Sequence, residues 1–186
     1  MTPAPRRPHG PEAIATPCLL LEPLRVEHAQ EMAAVLGDPA LHAFIGGVPY
    51  DEPGLRARYS RLVAGSGDPA VSWWNWVVRL RTEDRLTGTV QATVAWDAPD
   101  GAVAEVAWVV GTAWQGRGIA SEAAAALVAR LAALPVDRVI AHVHPAHRAS
   151  RSVAAAAGLT PTSAVVDGEI RWQRLIAPSA AAAPGG

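Results

Sequence analysis

Trp114-Gln115-Gly116-Arg117-Gly118-Ile119-Ala120-Ser121 joins a β-branched run to a long alanine-rich segment. Glycines at 116 and 118 let backbone N–H groups come close to a ligand. A helix starting here adds roughly half a positive charge at its N-terminus. Arg117 contributes a planar fork of donors that suits phosphate. The pattern predicts a pyrophosphate cradle at a strand-to-helix turn. Glycine-rich turns also occur with nothing bound, and spacing alone leaves that reading open.

Downstream, residues 116–134 read as a helix with Ile119, Ala123, Ala126, Leu127, Leu131 and Leu134 on one face, stopped by Pro135. Residues 136–144 form a β-branched strand, and 148–157 a short helix closed by Gly158 in the position a left-handed cap favours. Strands over 159–166 and 169–176 would pair across Asp167-Gly168, a strong hairpin signal. Upstream, a strand over 18–24 precedes a helix over 26–36 and a Gly46-Gly47 loop. A helix over about 53–64 and strands over 72–80, 86–96 and 102–110 follow. This order predicts an α/β class fold, an α+β mixed sheet of six to seven strands with about four helices.

Half of the 186 residues are hydrophobic, and 16 basic against 17 acidic residues leave a net charge of −1. That balance offers no footprint for nucleic acid or a membrane surface. All 16 basic residues are Arg, so Schiff-base chemistry and a P-loop lysine are excluded. The single Cys18 excludes an intramolecular disulfide and a multi-cysteine metal site. Residues 1–17 read as a disordered proline-rich lead, 18–176 as one domain, and 177–186 as a flexible Ala/Pro/Gly tail. The longest apolar run, residues 123–129, is far short of the roughly 20 residues that span a bilayer. The lead lacks the apolar stretch of a signal peptide, and the chain is expected to be cytoplasmic.

A dinucleotide fingerprint would need an acid at the end of the strand after the glycine loop. Asp137 instead lies at that strand's start, which disfavours a nicotinamide dinucleotide. A hydrolase is weaker still, because no G-x-S-x-G elbow occurs.

Gln115-Gly116-Arg117-Gly118-Ile119-Ala120 resembles the Q/R-x-x-G-x-G/A motif of the GNAT superfamily of acyl-CoA-dependent N-acetyltransferases, with Gln115, Gly118 and Ala120 at the defining places. Glu105-Val106-Ala107-Trp108-Val109-Val110 is similar to that family's central fourth strand. Ser121-Glu122-Ala123 resembles the helix start of the branch acting on ribosomal-protein N-termini, and His147-Arg148-Ala149-Ser150 through Gly158-Leu159 its closing N-x-x-S…GF segment. The likeness covers about residues 18–176 and is specific over 105–159.

The resemblance implies a GNAT-like fold, acetyl-CoA as cosubstrate and a primary amine as acceptor, either a peptide N-terminus or a small amine. Backbone at Val109 and Val110 would hold the pantetheine arm and polarise the thioester. The segment Gln115, Gly116, Arg117, Gly118, Ile119, Ala120 and Ser121 would hold the pyrophosphate, with His147 and Ser150 reaching the arm. His142 stands where some relatives carry a glutamate base, and Glu105 is the second base candidate. Each also reads as an ordinary strand residue. Alternation puts Glu105, Ala107 and Val109 on one face without saying which face lines a cleft. The family's general-acid tyrosine falls near Ala154, which has no phenol, so Ser150 is the substitute at the thiol; a serine there is also an ordinary helix cap. Trp74 and Trp76, one strand face, and Phe44 in the loop would wall the acceptor cleft; core packing is the plain alternative in a chain with 39 Ala and few large side chains.

His142, His144 and His147 lie close in sequence without a nearby carboxylate or Cys, so no metal is expected. A homodimer through the alanine-rich helix is an arrangement the sequence allows. The rival from another class is a non-catalytic acyl-CoA-binding domain, kept open by the missing tyrosine and by His147 in place of the family's Asn.

Overall fold

A computed structural model describes residues 10–176, apart from the side chains of Phe44 and Ile45. Expected features over residues 1–9 and the tail at 177–186 lie outside the described residues. In chain order the elements are β1 (Ile14–Ala15), β2 (Leu19–Pro23), α1 (Ala29–Val35), the single turn α2 (His42–Ile45), α3 (Glu52–Ala64), β3 (Val71–Leu80) and β4 (Arg85–Ala95). There follow β5 (Val103–Val110), α4 (Ile119–Ala132), β6 (Arg138–Val143), α5 (Arg148–Ala156), β7 (Thr160–Val166) and β8 (Glu169–Leu175).

The strands form one sheet in the order β1-β2-β3-β4-β5-β6-β8-β7, all neighbours antiparallel except β5 and β6. The α/β mixed-sheet class stands, with eight strands instead of six to seven. The extra strand comes from the proline-rich lead, which is ordered at its end. Ile14 and Ala15 pair with Leu21 and Leu20, the Trp76 indole donates to Glu12 O at 2.8 Å, and Thr16 Oγ1 and Cys18 N both donate to Glu122 Oε1 on α4. Trp76 and Glu122 lie 64 to 106 residues from the lead residues they hold, so local composition carried no sign of them.

Strand alternation sorts the core into two layers. On one face, Trp74, Trp76 and Val78 of β3, Val90, Ala92 and Val94 of β4, and Ala104 and Val106 of β5 pack beneath Ala123, Leu127 and Leu131 of α4 and Val153 and Ala154 of α5. On the other, Val77 and Leu86 meet Ala29, Met32 and Val35 of α1 and Leu55 and Tyr59 of α3. The second layer spans only the β2–β4 side. Helix α4 follows its sequence closely. Its apolar stripe is buried, and Pro135 ends the segment because it cannot donate to a continuing helix.

The one parallel pair is short. Partners run Val103↔Arg138, Ala104↔Val139 and Glu105↔Ile140, and then stop, although both strands continue. Beyond Glu105 the strands part, leaving a slot through the middle of the sheet. Gly111 N–H donates to Thr87 O on β4, so alternation turns the backbone of Val109 toward β4 and that of Trp108 and Val110 toward the open slot.

Candidate active site

Two cavities meet at the slot. The first, about 510 Å³, lies on the α4–α5 face and is lined by the end of β5, the glycine loop and the starts of α4 and α5. The second, about 670 Å³, lies on the α1–α3 face, floored by Asn75, Thr89, Gln91, Ala107 and Val109. Leu41 and Val109 belong to both walls. Glu105 therefore shares its strand face with Ala107 and Val109, which floor the second cavity.

The glycine loop presents donors. Gly116 has φ of +74° and Gly118 +78°, and a Cβ at either place would meet nothing within 4 Å, so it is the left-handed backbone that calls for glycine. Gly118 is the N-cap of α4 and carries no side-chain cap. The first-turn N–H groups of Ile119, Ala120 and Ser121 thus stay open at the cavity wall, with the helix dipole behind them. Gln115 Nε2–H donates to Val110 O at 3.0 Å, which fastens the loop to the strand end. Asp38 Oδ2 accepts from Thr112 Oγ1 at 2.7 Å and holds Ala40 and Leu41 over the cleft. Val109, Val110, Gln115, Gly116, Gly118, Ile119, Ala120, Ser121, His147 and Ser150 all line this cavity. Arg117 does not; its guanidinium is paired with Glu83 in the β3–β4 turn, and that pairing holds the Glu83 carboxyl below the usual range.

On α5, His147 is the N-cap, its Nδ1 accepting from Ser150 N at 3.3 Å. Ser150 itself is not the cap. Its Oγ accepts from Trp108 Nε1–H at 3.0 Å, which leaves the hydroxyl proton to donate elsewhere. Burial, with a smaller contribution from His144, pushes the His147 imidazolium pKa below its ordinary value. The neutral ring that accepts at Nδ1 carries its proton on Nε2. Ala154, the place of the family tyrosine, is fully buried under α4.

His142 and Glu105 are brought together: Nδ1 stands 2.8 Å from Glu105 Oε1 across the last paired rung of the slot. A carboxylate only accepts, so Nδ1 carries the proton, and Nε2 faces the Arg171 Nε–H at 3.5 Å. Neither residue lines either cavity. Along the strand Glu105 is four residues from Val109, about 13 Å.

The two tryptophans of the expected acceptor wall differ in place: both pack in the core layer under α4, and Trp76 also lines the second cavity while Trp74 does not. Trp74 stacks edge-on against Trp96 at 5.8 Å, and the Trp76 indole lies in the core with its N–H on Glu12 O, although the residue borders the cavity beside Asn75. Alternation had paired the two tryptophans on one face; only the position of α4 decides that this face is core. Phe44 lies in α2 between the cavity-lining residues His42 and Gly46, and its side chain is outside the described residues. Reading the sequence also missed Arg58, Tyr50, Asn75, Gln91 and His42 on that cavity. Polar residues at odd positions opposite the tryptophans were the available signal for Asn75. Among the described residues no group of three or more His, Cys, Asp or Glu could hold a metal ion. No described helix is long and apolar enough to cross a membrane.

A slot in a mixed sheet, with an uncapped helix N-terminus on one side and a separate cavity on the other, gives two ligands access to one point on β5. The sequence matches the family described as Acetyltransferase (GNAT) domain over residues 19–160, and the chain belongs to that family. It is an acyl-CoA-dependent acetyltransferase. Solved structures agree in fold. A GNAT-family acetyltransferase from Bacillus anthracis is 20% identical with a TM-score of 0.68, covering 88% of this chain and 98% of that one. An acetyltransferase from Salmonella typhimurium that modifies the N-terminal serine of ribosomal protein L7/L12 is 15% identical at 0.70, covering 89% and 100%. The self-immunity acetyltransferase MccE, solved with acetyl-CoA and AMP, is 12% identical at 0.68, covering 87% and 94%. No curated protein sequence matches the chain.

Proposed function

We propose that the protein transfers acetyl from acetyl-CoA to a primary amine, a peptide N-terminus or a small amine, by direct attack through a tetrahedral intermediate. The observation that carries this reading is the meeting of the two cavities at Val109. A cosubstrate laid along one face and an amine entering from the other converge there without a covalent enzyme intermediate.

The open N–H groups of Ile119, Ala120 and Ser121 take the pyrophosphate, and Arg117 joins them by leaving Glu83. The unpaired β5 edge at Trp108 and Val110 is a ready partner for the amide groups of the pantetheine arm, as one strand is for another. The Val110 N–H is placed to polarise the thioester carbonyl and to meet the oxyanion. Proton removal falls to His142, oriented by Glu105, with Nε2 taking the proton once its long contact with Arg171 opens. The 13 Å that separates Glu105 from Val109 along the strand puts water between base and amine. The thiol leaves easily, its reference pKa being about 8.5. Ser150, already accepting from Trp108, donates its hydroxyl proton in a hydrogen bond to the departing sulfur as the C–S bond breaks.

Calorimetric titration with acetyl-CoA, with NADH as control, followed by a thiol-release assay over an amine panel, tests this. Micromolar binding of acetyl-CoA alone and amine-dependent thiol release are expected. Binding without release from any amine would leave the acyl-CoA-binding reading in its place. His142→Ala with Glu105→Gln should reduce kcat by about 10²-fold at pH 7. Unchanged turnover would remove the base from these residues.

A further inference from the structure

The acceptor cavity differs in charge from the surface around it. No Asp or Glu lines it, whereas Arg58 and His42 do. Seven of the thirteen other described arginines have carboxylate partners, among them Arg56 on the same helix with Glu52, Arg79 with Glu22 and Arg117 with Glu83. Arg58, on α3, has none among the described residues. Its guanidinium carbon sits 5.8 Å from the centre of the Tyr50 ring at the cavity's rim. A cation over an aromatic face keeps its N–H fork free for an anion, and the ring fixes the fork's position.

Asn75 and Gln91, direct cross-strand partners on the cavity floor, add two amide groups. His42 Nδ1 lies 2.9 Å from Gly46 O, a carbonyl that can only accept, so Nδ1 donates there and the ring's place on the cavity wall is fixed. A wall with one fixed cation and no fixed anion repels a polycationic acceptor and attracts a negative group.

We infer that the acceptor is an amine that also carries a carboxylate, held by Arg58 while the amine reaches Val109. This rests on the acetyl-transfer reading above. An amino-acid-like metabolite, a short peptide's C-terminus and an acidic peptide side chain share the chemistry, and matched acceptors separate them.

Thiol release would be measured with amino acids and dipeptides against their carboxamides, and with C-terminally amidated peptides whose second residue is Glu or Gln. Wild-type protein should favour the carboxylate member on the order of tenfold in kcat/KM, mainly through KM. Arg58→Ala should erase that preference, Arg58→Lys retain part of it, and Arg58→Glu favour the uncharged member. Acetyl-CoA binding by calorimetry should be the same in all three variants, which shows that each is folded. Equal rates for both members in the wild type, or a ratio unmoved by Arg58→Glu, would overturn the inference while leaving acetyl transfer intact. If no amine releases thiol, the transfer reading fails. Titration of the same pairs into protein saturated with CoA then decides this inference alone: equal binding overturns it.

Discussion

Ser150 shows how a single hydroxyl acquires a direction. Because Trp108 Nε1–H occupies its lone pair, the remaining proton is free for a sulfur in the adjoining cavity, and donation polarises the pair. Ser150→Ala should lower kcat about tenfold with acetyl-CoA affinity nearly unchanged, read by thiol release and calorimetry. Trp108→Phe, which frees the serine to rotate, should cost less in kcat. His147 makes a separate point. Its imidazolium is disfavoured in the fold, first by burial and then by His144, so its contribution is present above the unfolded value near 6.5 and lost as pH falls through that region. Protonated Nδ1 cannot accept from Ser150 N, and the start of α5 loosens. His147→Asn, a good cap without a titrating ring, should flatten the dependence of Tm on pH between about 7 and 5. A wild-type curve already flat across that interval would contradict the assignment.

At the scale of elements, the slot depends on how closely β4 approaches β5. A Cβ on Gly88 would stand 2.2 Å from Val109 O and 3.0 Å from Val110 Cα, both backbone. Backbone cannot rotate aside, so Gly88→Ala must push β5 outward just where the two cavities meet. The expected cost is about 1–3 kcal/mol, a Tm lowered by several degrees, and weaker acetyl-CoA binding. Gly118→Ala acts by another route. It has open space but places an alanine at φ +78°, which costs about 1–2 kcal/mol and turns the loop's N–H groups. Acetyl-CoA affinity, read by calorimetry, should fall more than Tm does. Asp137 belongs to this scale too. Its carboxylate accepts from Ala102 N at 2.6 Å, closing the turn before β5, so the acid that disfavoured a dinucleotide has a structural partner.

Across the whole molecule, the end of the lead ties the sheet's first edge to the helix that holds the glycine loop. Burial works against the Glu122 charge, but hydrogen bonds from Thr16 and Cys18 outweigh it and hold its carboxyl below the usual range. A depressed carboxylate stabilises the fold above the unfolded value and ceases to do so as pH drops through the folded one. Glu122→Gln should therefore cost about 1–2 kcal/mol at pH 7 and make the loss of stability below pH 4.5 shallower, seen in melts across pH. Equal Tm at pH 7 would show that the strap contributes nothing.

Much of this architecture was written locally. Alternation marked β3, β4 and β5, the apolar stripe and Pro135 bounded α4, and the glycine spacing announced a loop whose left-handed backbone exposes helix N–H groups. Those signals are short-range, so sequence alone determined the element order, the mixed sheet and the glycine turn before α4. Other features waited for the third dimension. Period-two spacing set Trp74 and Trp76 together, but which side of the sheet α4 covers decided that they are core. Ser150 looked like a cap until α5 was placed beside Trp108, 42 residues earlier. The second cavity joins Arg58 from α3, Asn75 from β3 and Val109 from β5, a set no local pattern links. Tertiary structure alone decided which faces are covered, where the parallel strands part and which distant residues meet there, because those outcomes depend on packing between elements rather than on the spacing within any one of them.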